Sequence, residues 1–143
     1  MVTPKNAFWI KRKPLFKCEN INRGDIVVFY YKEDQATYNY IWRVIGIPGD
    51  KIRIEGKSVF VNNQLLKQEK TKESADQIIY SEKGTNIDYF VAYDKIPKSS
   101  QRVDIDIVVT QEHLFLLGDN RDNAMDSRFK GLVPFNDVIG IKM

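Results

Sequence analysis

Between Gly118 and Arg128 the sequence crowds Asp119, Arg121, Asp122, Asp126 and Arg128 around Asn120, Asn123 and Ser127, directly after the apolar run His113-Leu114-Phe115-Leu116-Leu117. Charges placed just after a buried strand must find opposite charges and hydrogen bonds, because an isolated ion held near a core carries a large desolvation cost. The pattern predicts a salt-bridged loop locked onto a sheet; the competing reading is a solvated turn. Metal chemistry has little support. His113 and Cys18 are the single histidine and the single cysteine, so neither a Cys/His ligand set nor an intrachain disulfide is available, and no cofactor is expected.

The elements that must position this loop read as strands. Ile26 to Tyr31 is β-branched and aromatic throughout, which predicts a central strand covered on both faces. Lys32 to Thr37 reads as a polar hairpin loop, and Tyr38 to Ile47 as a second strand that stops at the turn Pro48-Gly49-Asp50. Strict alternation at 51–55, a turn at Gly56-Lys57, a strand at 58–61 and a turn at Asn62-Asn63 complete a meander. Residues 67–84 are charged, with only Ile78-Ile79-Tyr80 suggesting a strand; 86–93 and 103–110 read as two more. Near the start, Ala7 to Ile10 is a short apolar strand closed by Lys11-Arg12-Lys13 and Pro14. No helical period persists, so the fold class is all-β: a coiled antiparallel sheet core, about 1–63 and 111–143, carrying a smaller inserted β lobe, about 64–110.

At 143 residues the chain suits one domain. Its net charge of +3, from 22 basic and 19 acidic residues, is mild and scattered, which argues against a nucleic-acid partner. No apolar run approaches the ~20 residues of a membrane helix. Phe8 and Trp9 beside Lys11, Arg12 and Lys13 would also suit a lipid surface.

Four stretches together resemble one family. GDNRDNAMDSRFKGLVP, from Gly118, resembles the last signature box of type I signal peptidases, GDNRxxSxDSRxxGxVP. RVIGIPGDKI, from Arg43, resembles the box before it, RGDIVVF, from Arg23, the strand after the nucleophile region, and KSVFVNNQLL, from Lys57, the family's hairpin. They occur in family order and cover most of the chain. The resemblance implies a membrane-tethered serine endopeptidase fold facing the outside of the cell, anchored by an N-terminal segment preceding this chain. It also implies that Arg43 pairs with Asp119 and Asp126 with Arg128, and that an extended peptide binds between Asn39, Tyr40 and Ile41 on one side and Val2, Thr3 and Pro4 on the other.

The family cleaves with a serine nucleophile and a lysine base, which burial must hold neutral near pH 7. Here the position matching that lysine is Trp42, whose indole N–H donates but cannot accept a proton. The serine position matches Met1, either native or a start replacing the original residue. Thr3 is the nearest hydroxyl, but using it would require the backbone to shift. The serine that hydrogen-bonds the lysine amine in the family matches Ala124, a loss coherent with loss of the amine. The expectation is a scaffold without its catalyst: a member similar to the dyad-lacking signal-peptidase-like proteins that assist pilus assembly in Gram-positive bacteria, with a pilin or another secreted protein as partner. The alternative is an active peptidase with its serine upstream and a relocated lysine, Lys5 or Lys11. A third reading, a conjugative-transfer relative, also requires the lysine.

Overall fold

The structure, a computed structural model, describes residues 10–12, 21–98 and 102–142, the first three as backbone only. Among these residues three sheets curl into an antiparallel half barrel. The largest contains β1 (Ile10–Arg12), β2 (Ile26–Glu33), β3 (Ala36–Gly46), β11 (His113–Leu117), β12 (Val133–Pro134) and β13 (Val138–Lys142), in the spatial order β1-β13-β2-β3-β11-β12. The second has β4 (Lys51–Glu55), β5 (Ser58–Val61), β6 (Gln64–Leu65) and β10 (Ile105–Val108), ordered β10-β4-β5-β6. The third is β7 (Gln68–Glu73), β8 (Gln77–Lys83) and β9 (Asp88–Asp94). A short helix, α1 (Ser127–Lys130), and the 3-10 turns Arg121–Asn123 and Phe135–Asp137 interrupt the last segment.

The apolar run after His113 has no alternation because β11 is buried on both faces. Leu114 and Leu116 enter one apolar cluster with Val27, Phe29, Val44, Val133 and Val138, whereas Phe115 and Leu117 enter the other with Ile52, Ile54, Val59, Val91 and Tyr93. A strand shared by two clusters cannot slip by one residue without exchanging every side chain between them, so β11 sets the register of the loop that leaves it at Gly118. β2 is central, as its composition predicts, held between β13 and β3. The turn at Asn62-Asn63 has both residues in the left-handed region, φ 52° and 69°, the geometry that joins two twisted strands through two residues.

Four expectations change. The β2–β3 pairing continues to Glu33↔Ala36, so the expected loop at 32–37 shrinks to a turn at Asp34, φ 55°. Polar side chains do not oppose pairing there, because the tip of the hairpin is exposed to solvent. The charged stretch 67–84 forms a hairpin, β7–β8, because its charges point outward while Tyr80 and Glu82 reach the core side. Strand pairing also divides the stretch expected as a 64–110 lobe. Residues 68–94 make the third sheet, but Gln64–Leu65 pairs with β5 and Ile105–Val108 with β4. At the other end, β1 runs through Lys11 and Arg12, where the sequence predicts a strand end; residues 7–9 lie outside the described residues.

The third sheet is tied to the rest by an ion pair. Arg121 Nη2 donates to Glu82 Oε2 at 2.6 Å and Nη1 to Oε1 at 3.1 Å, with both side chains almost wholly buried. Gln68 Nε2 and the Tyr89 hydroxyl also donate to the Glu82 carboxylate, at 2.9 and 2.7 Å. Burial opposes ionisation of Glu82, but the Arg121 charge and these donors outweigh it and hold its pKa below the ordinary carboxylate range. Asp50 behaves alike: burial raises it, but Arg23, the Ile47 N–H and Asn62 leave it lowered.

A carboxylate whose pKa is lower folded than unfolded contributes its full stability above the unfolded value, ~4.3 for Glu, and loses it as pH falls through the folded value. Urea midpoints are therefore expected to stay flat from neutral pH down to about 5 and to drop below about 4. Glu82→Gln, which strands the buried Arg121 charge, is expected to lower stability at pH 7 by about 3–5 kcal/mol and to flatten the acid limb of that profile.

Candidate functional site

The loop after β11 is built by its own polar groups. Asp126 caps α1 by accepting from the Arg128 N–H at 3.2 Å, and its carboxylate also accepts Arg128 Nε at 2.9 Å and Nη2 at 2.8 Å. Asp126 Oδ2 takes the Gly118 N–H at 2.9 Å, and Ser127 Oγ takes the Leu116 N–H at 3.0 Å, so the helix cap is hydrogen-bonded back to the strand that leads into it. Arg128 Nη2 reaches the Arg121 carbonyl at 2.5 Å, and Arg121 Nε reaches the Gly118 carbonyl at 3.0 Å. Two buried guanidiniums thus fold the segment 118–128 onto itself. Asp122, also buried, accepts Arg102 Nε and Nη2 at 3.0 and 2.8 Å, and takes the Asp94 N–H at 2.8 Å.

The same loop is pinned to β3 from outside. Arg43 donates through Nε and Nη2 to the two Asp119 oxygens at 2.9 and 2.8 Å, and through Nη1 to the Gly24 carbonyl at 2.7 Å. Its guanidinium lies 4.2 Å from the centroid of the Tyr89 ring. One arginine therefore joins the loop, the turn before β2 and β9. Ala92 N–H donates to the Asp119 carbonyl at 2.9 Å, within a parallel bridge between Ala92 and Asn120.

Trp42 and Ala124, far apart in sequence, meet across Gly118. A methyl group placed on Gly118 would lie 2.5 Å from Ala124 Cβ and 2.7 Å from Trp42 Cζ3. The benzo edge of the indole is therefore packed on the loop, and the space beside Gly118 has no room for a further side chain. Tyr40 stacks on Trp42 with centroids 5.8 Å apart and planes 16° apart, and it contacts Phe29 and Tyr31 in turn. Alternation along β3 sends Tyr40 and Trp42 to this face and Asn39, Ile41 and Arg43 to the other. β11 accompanies β3 only from Arg43 onward, leaving Ile41 and Tyr38 half exposed toward the hairpin tip. Met1, Val2, Thr3, Pro4 and Lys5 lie outside the described residues, as does the Lys11 side chain.

Chemically, the described part of the site holds no amine base. Trp42 Nε1 is buried and, among the described residues, has no hydrogen-bond partner. Lys83 and Lys130, the two described lysines with shifted pKa values, are both raised: Lys83 by its hydrogen bond to Asp88, and Lys130 by Glu33 against the effect of burial. A lysine base needs the opposite shift. No group of His, Cys, Asp and Glu among the described residues could hold a metal ion, and no described helix is long and apolar enough to cross a membrane.

Sequence reasoning found the charges of the loop but not all their partners. Glu82, Tyr89, Arg102 and the Gly24 carbonyl were missed, because they come from segments with no pattern pointing toward residues 118–128. Burial of Arg121 was the available signal: a guanidinium inside a core needs a carboxylate from somewhere.

This fold, closed by a self-bonded loop between two buried arginines, has a known class. The family Signal peptidase, peptidase S26, matches residues 2–143, and the chain belongs to that family. Signal peptidase I of Pseudomonas aeruginosa is 31% identical over 135 residues, covering 82% of this chain and 46% of that protein. Signal peptidase I P of Bacillus subtilis subsp. natto is 34% identical over 125 residues, covering 86% of this chain and 58% of the relative. The chain spans about half the length of the curated relatives it matches. The crystal structure of a signal peptidase I from Enterococcus faecalis V583 superposes with a TM-score of 0.53 at 21% identity, covering 93% of this chain and 99% of that one, which shows the shared fold.

Two variants probe the packing at Gly118. Gly118→Ala is expected to cost about 1–3 kcal/mol, the range for overpacking, and to cost less when made in a Trp42→Ala background, as measured by a double-mutant cycle. Trp42→Phe keeps an aromatic ring on Tyr40 but removes the orphan donor, so it is expected to be neutral or stabilising by about 1 kcal/mol in chemical denaturation.

Proposed function

We propose that this chain is the outward-facing, peptide-handling domain of a membrane-tethered signal-peptidase-family protein, and that it binds extended segments of secreted proteins or pilins without hydrolysing them. The observation that carries this reading is Trp42. The residue in the general-base position is an indole packed on Gly118 and beside Ala124, where an amine and its hydroxyl partner would otherwise stand. An indole cannot take a proton from a nucleophile, and neither lysine with a shifted pKa is set to replace it. Peptide binding by strand addition uses main-chain hydrogen bonds and side-chain contacts, so it survives loss of the catalyst. Tyr40 and Ile41, on opposite faces of β3, are the described contacts for such a peptide, with Asn39 just before them and Val2, Thr3 and Pro4 as the opposing wall. The role is that of an accessory factor in surface-protein or pilus assembly, with the membrane reached through an N-terminal anchor.

A second reading, an active signal peptidase I type serine endopeptidase, is favoured by the comparisons, since the relatives above carry the name signal peptidase I. It needs a serine at or upstream of the Met1 position and a base drawn from outside the described residues, such as Lys5 or Lys11.

One experiment separates the two. The chain is incubated with a synthetic peptide spanning a secretory signal-peptide cleavage region and with one spanning a pilin leader, beside the triple variant Met1→Ser, Trp42→Lys, Ala124→Ser. Binding without cleavage by the native chain, measured by calorimetry and mass spectrometry, is the expected result. Cleavage by the native chain would overturn the non-catalytic reading in favour of the enzyme, and absence of binding to either peptide would overturn the peptide-handling role.

A further inference from the structure

A recess lies between the middle of β2, at Phe29 to Tyr31, and the chain from Met125 to Asp137. It has a volume of about 50 Å³, and its lining includes Phe29, Tyr31, Met125, Lys130, Leu132 and Asp137. The walls are aromatic, aliphatic and thioether surface, a combination that accepts slender apolar stems.

Its charges do not cancel. Asp126, buried in the wall, is neutralised by Arg128, with 2.8 Å between Oδ2 and Nη2. Lys130 Nζ is 3.1 Å from Glu33 Oε2 and lies 4.2 Å from the Tyr31 ring centroid. That leaves Asp137, part-buried at the end of the second 3-10 turn, whose carboxylate has no hydrogen bond or ion pair among the described residues. The leftover charge of the recess is a single negative one.

We infer that this recess binds the side chain of a basic residue, arginine in preference to lysine, presented by a protein or peptide partner. The aliphatic stem would lie along Phe29, Met125 and Leu132, and the cationic head would meet Asp137. An anion would meet Asp137 as a like charge, and a neutral apolar group would desolvate that carboxylate with nothing in return. A guanidinium is the better head group because it is planar, stacks on rings and sheds its hydration more easily than an ammonium. The Tyr31 face is taken by Lys130, which is paired with Glu33, so the incoming head group would lie on the Asp137 side of the recess. The inference does not require peptide docking along β3.

The probe is n-butylguanidinium, titrated into the full chain carrying methionine labelled at its methyl carbon, and followed by NMR. A saturable shift of the Met125 methyl is expected at millimolar concentration, weaker with n-butylammonium and absent with butyrate or n-butanol. Asp137→Asn is expected to weaken the guanidinium response at least about fivefold, while Asp137→Glu keeps it. The inference is overturned by no saturable shift, by equal responses to n-butanol and n-butylguanidinium, or by an unchanged affinity in a folded Asp137→Asn or Asp137→Ser variant. Because the probe is a small cation, these outcomes are independent of whether an extended peptide binds beside Trp42.

Discussion

The buried pair between Arg121 and Glu82 is the contact on which the arrangement of the loop depends. Each ion would be costly inside the protein alone, and each is held by a different part of the chain: Arg121 by the 3-10 turn after β11, Glu82 by the middle strand of the third sheet. The pair therefore works as a latch between two regions distant in sequence. Its reach extends further through Arg121 Nε, which holds the Gly118 carbonyl, and Gly118 is the residue that lets Trp42 and Ala124 approach each other.

Burial ranks these charges. Arg121, Asp126 and Arg128 lie in the interior and shape the loop itself, whereas the Arg43–Asp119 pair, with Asp119 partly exposed, attaches the finished loop to β3. Loss of an interior group leaves an uncompensated charge; loss of a peripheral one is softened by water. The buried ion pairs thus frame a tight contact of an indole, a methyl group and a glycine.

Much of this was legible in residue types. Strands at 26–31, 51–55, 58–61 and 113–117 result from β-branched composition, alternation or an unbroken apolar run, and the Asn62-Asn63 turn from the tolerance of asparagine for left-handed backbone. Of the hairpin at 68–83 only Ile78-Ile79-Tyr80 was legible; its edge strand, 68–73, is exposed and charged along its length and has no apolar signal, and pairing with β8 gives it a place only after folding. The extent of the lobe was misjudged for a related reason: Ile105–Val108 resembles any short strand, and nothing local says that it pairs with β4.

The sequence by itself determined the all-β class, the family, the crowding of charge after β11, and the chemical fact that position 42 carries no base, because these depend on residue identity and order. Only the tertiary structure decided which carboxylate answers Arg121, that Arg102 answers Asp122, that Trp42 and Ala124 touch through Gly118, and that Asp137 is left over beside an apolar recess. Those outcomes depend on how distant strands are brought side by side, and pairing between remote segments is set by the summed packing of two cores rather than by any local pattern.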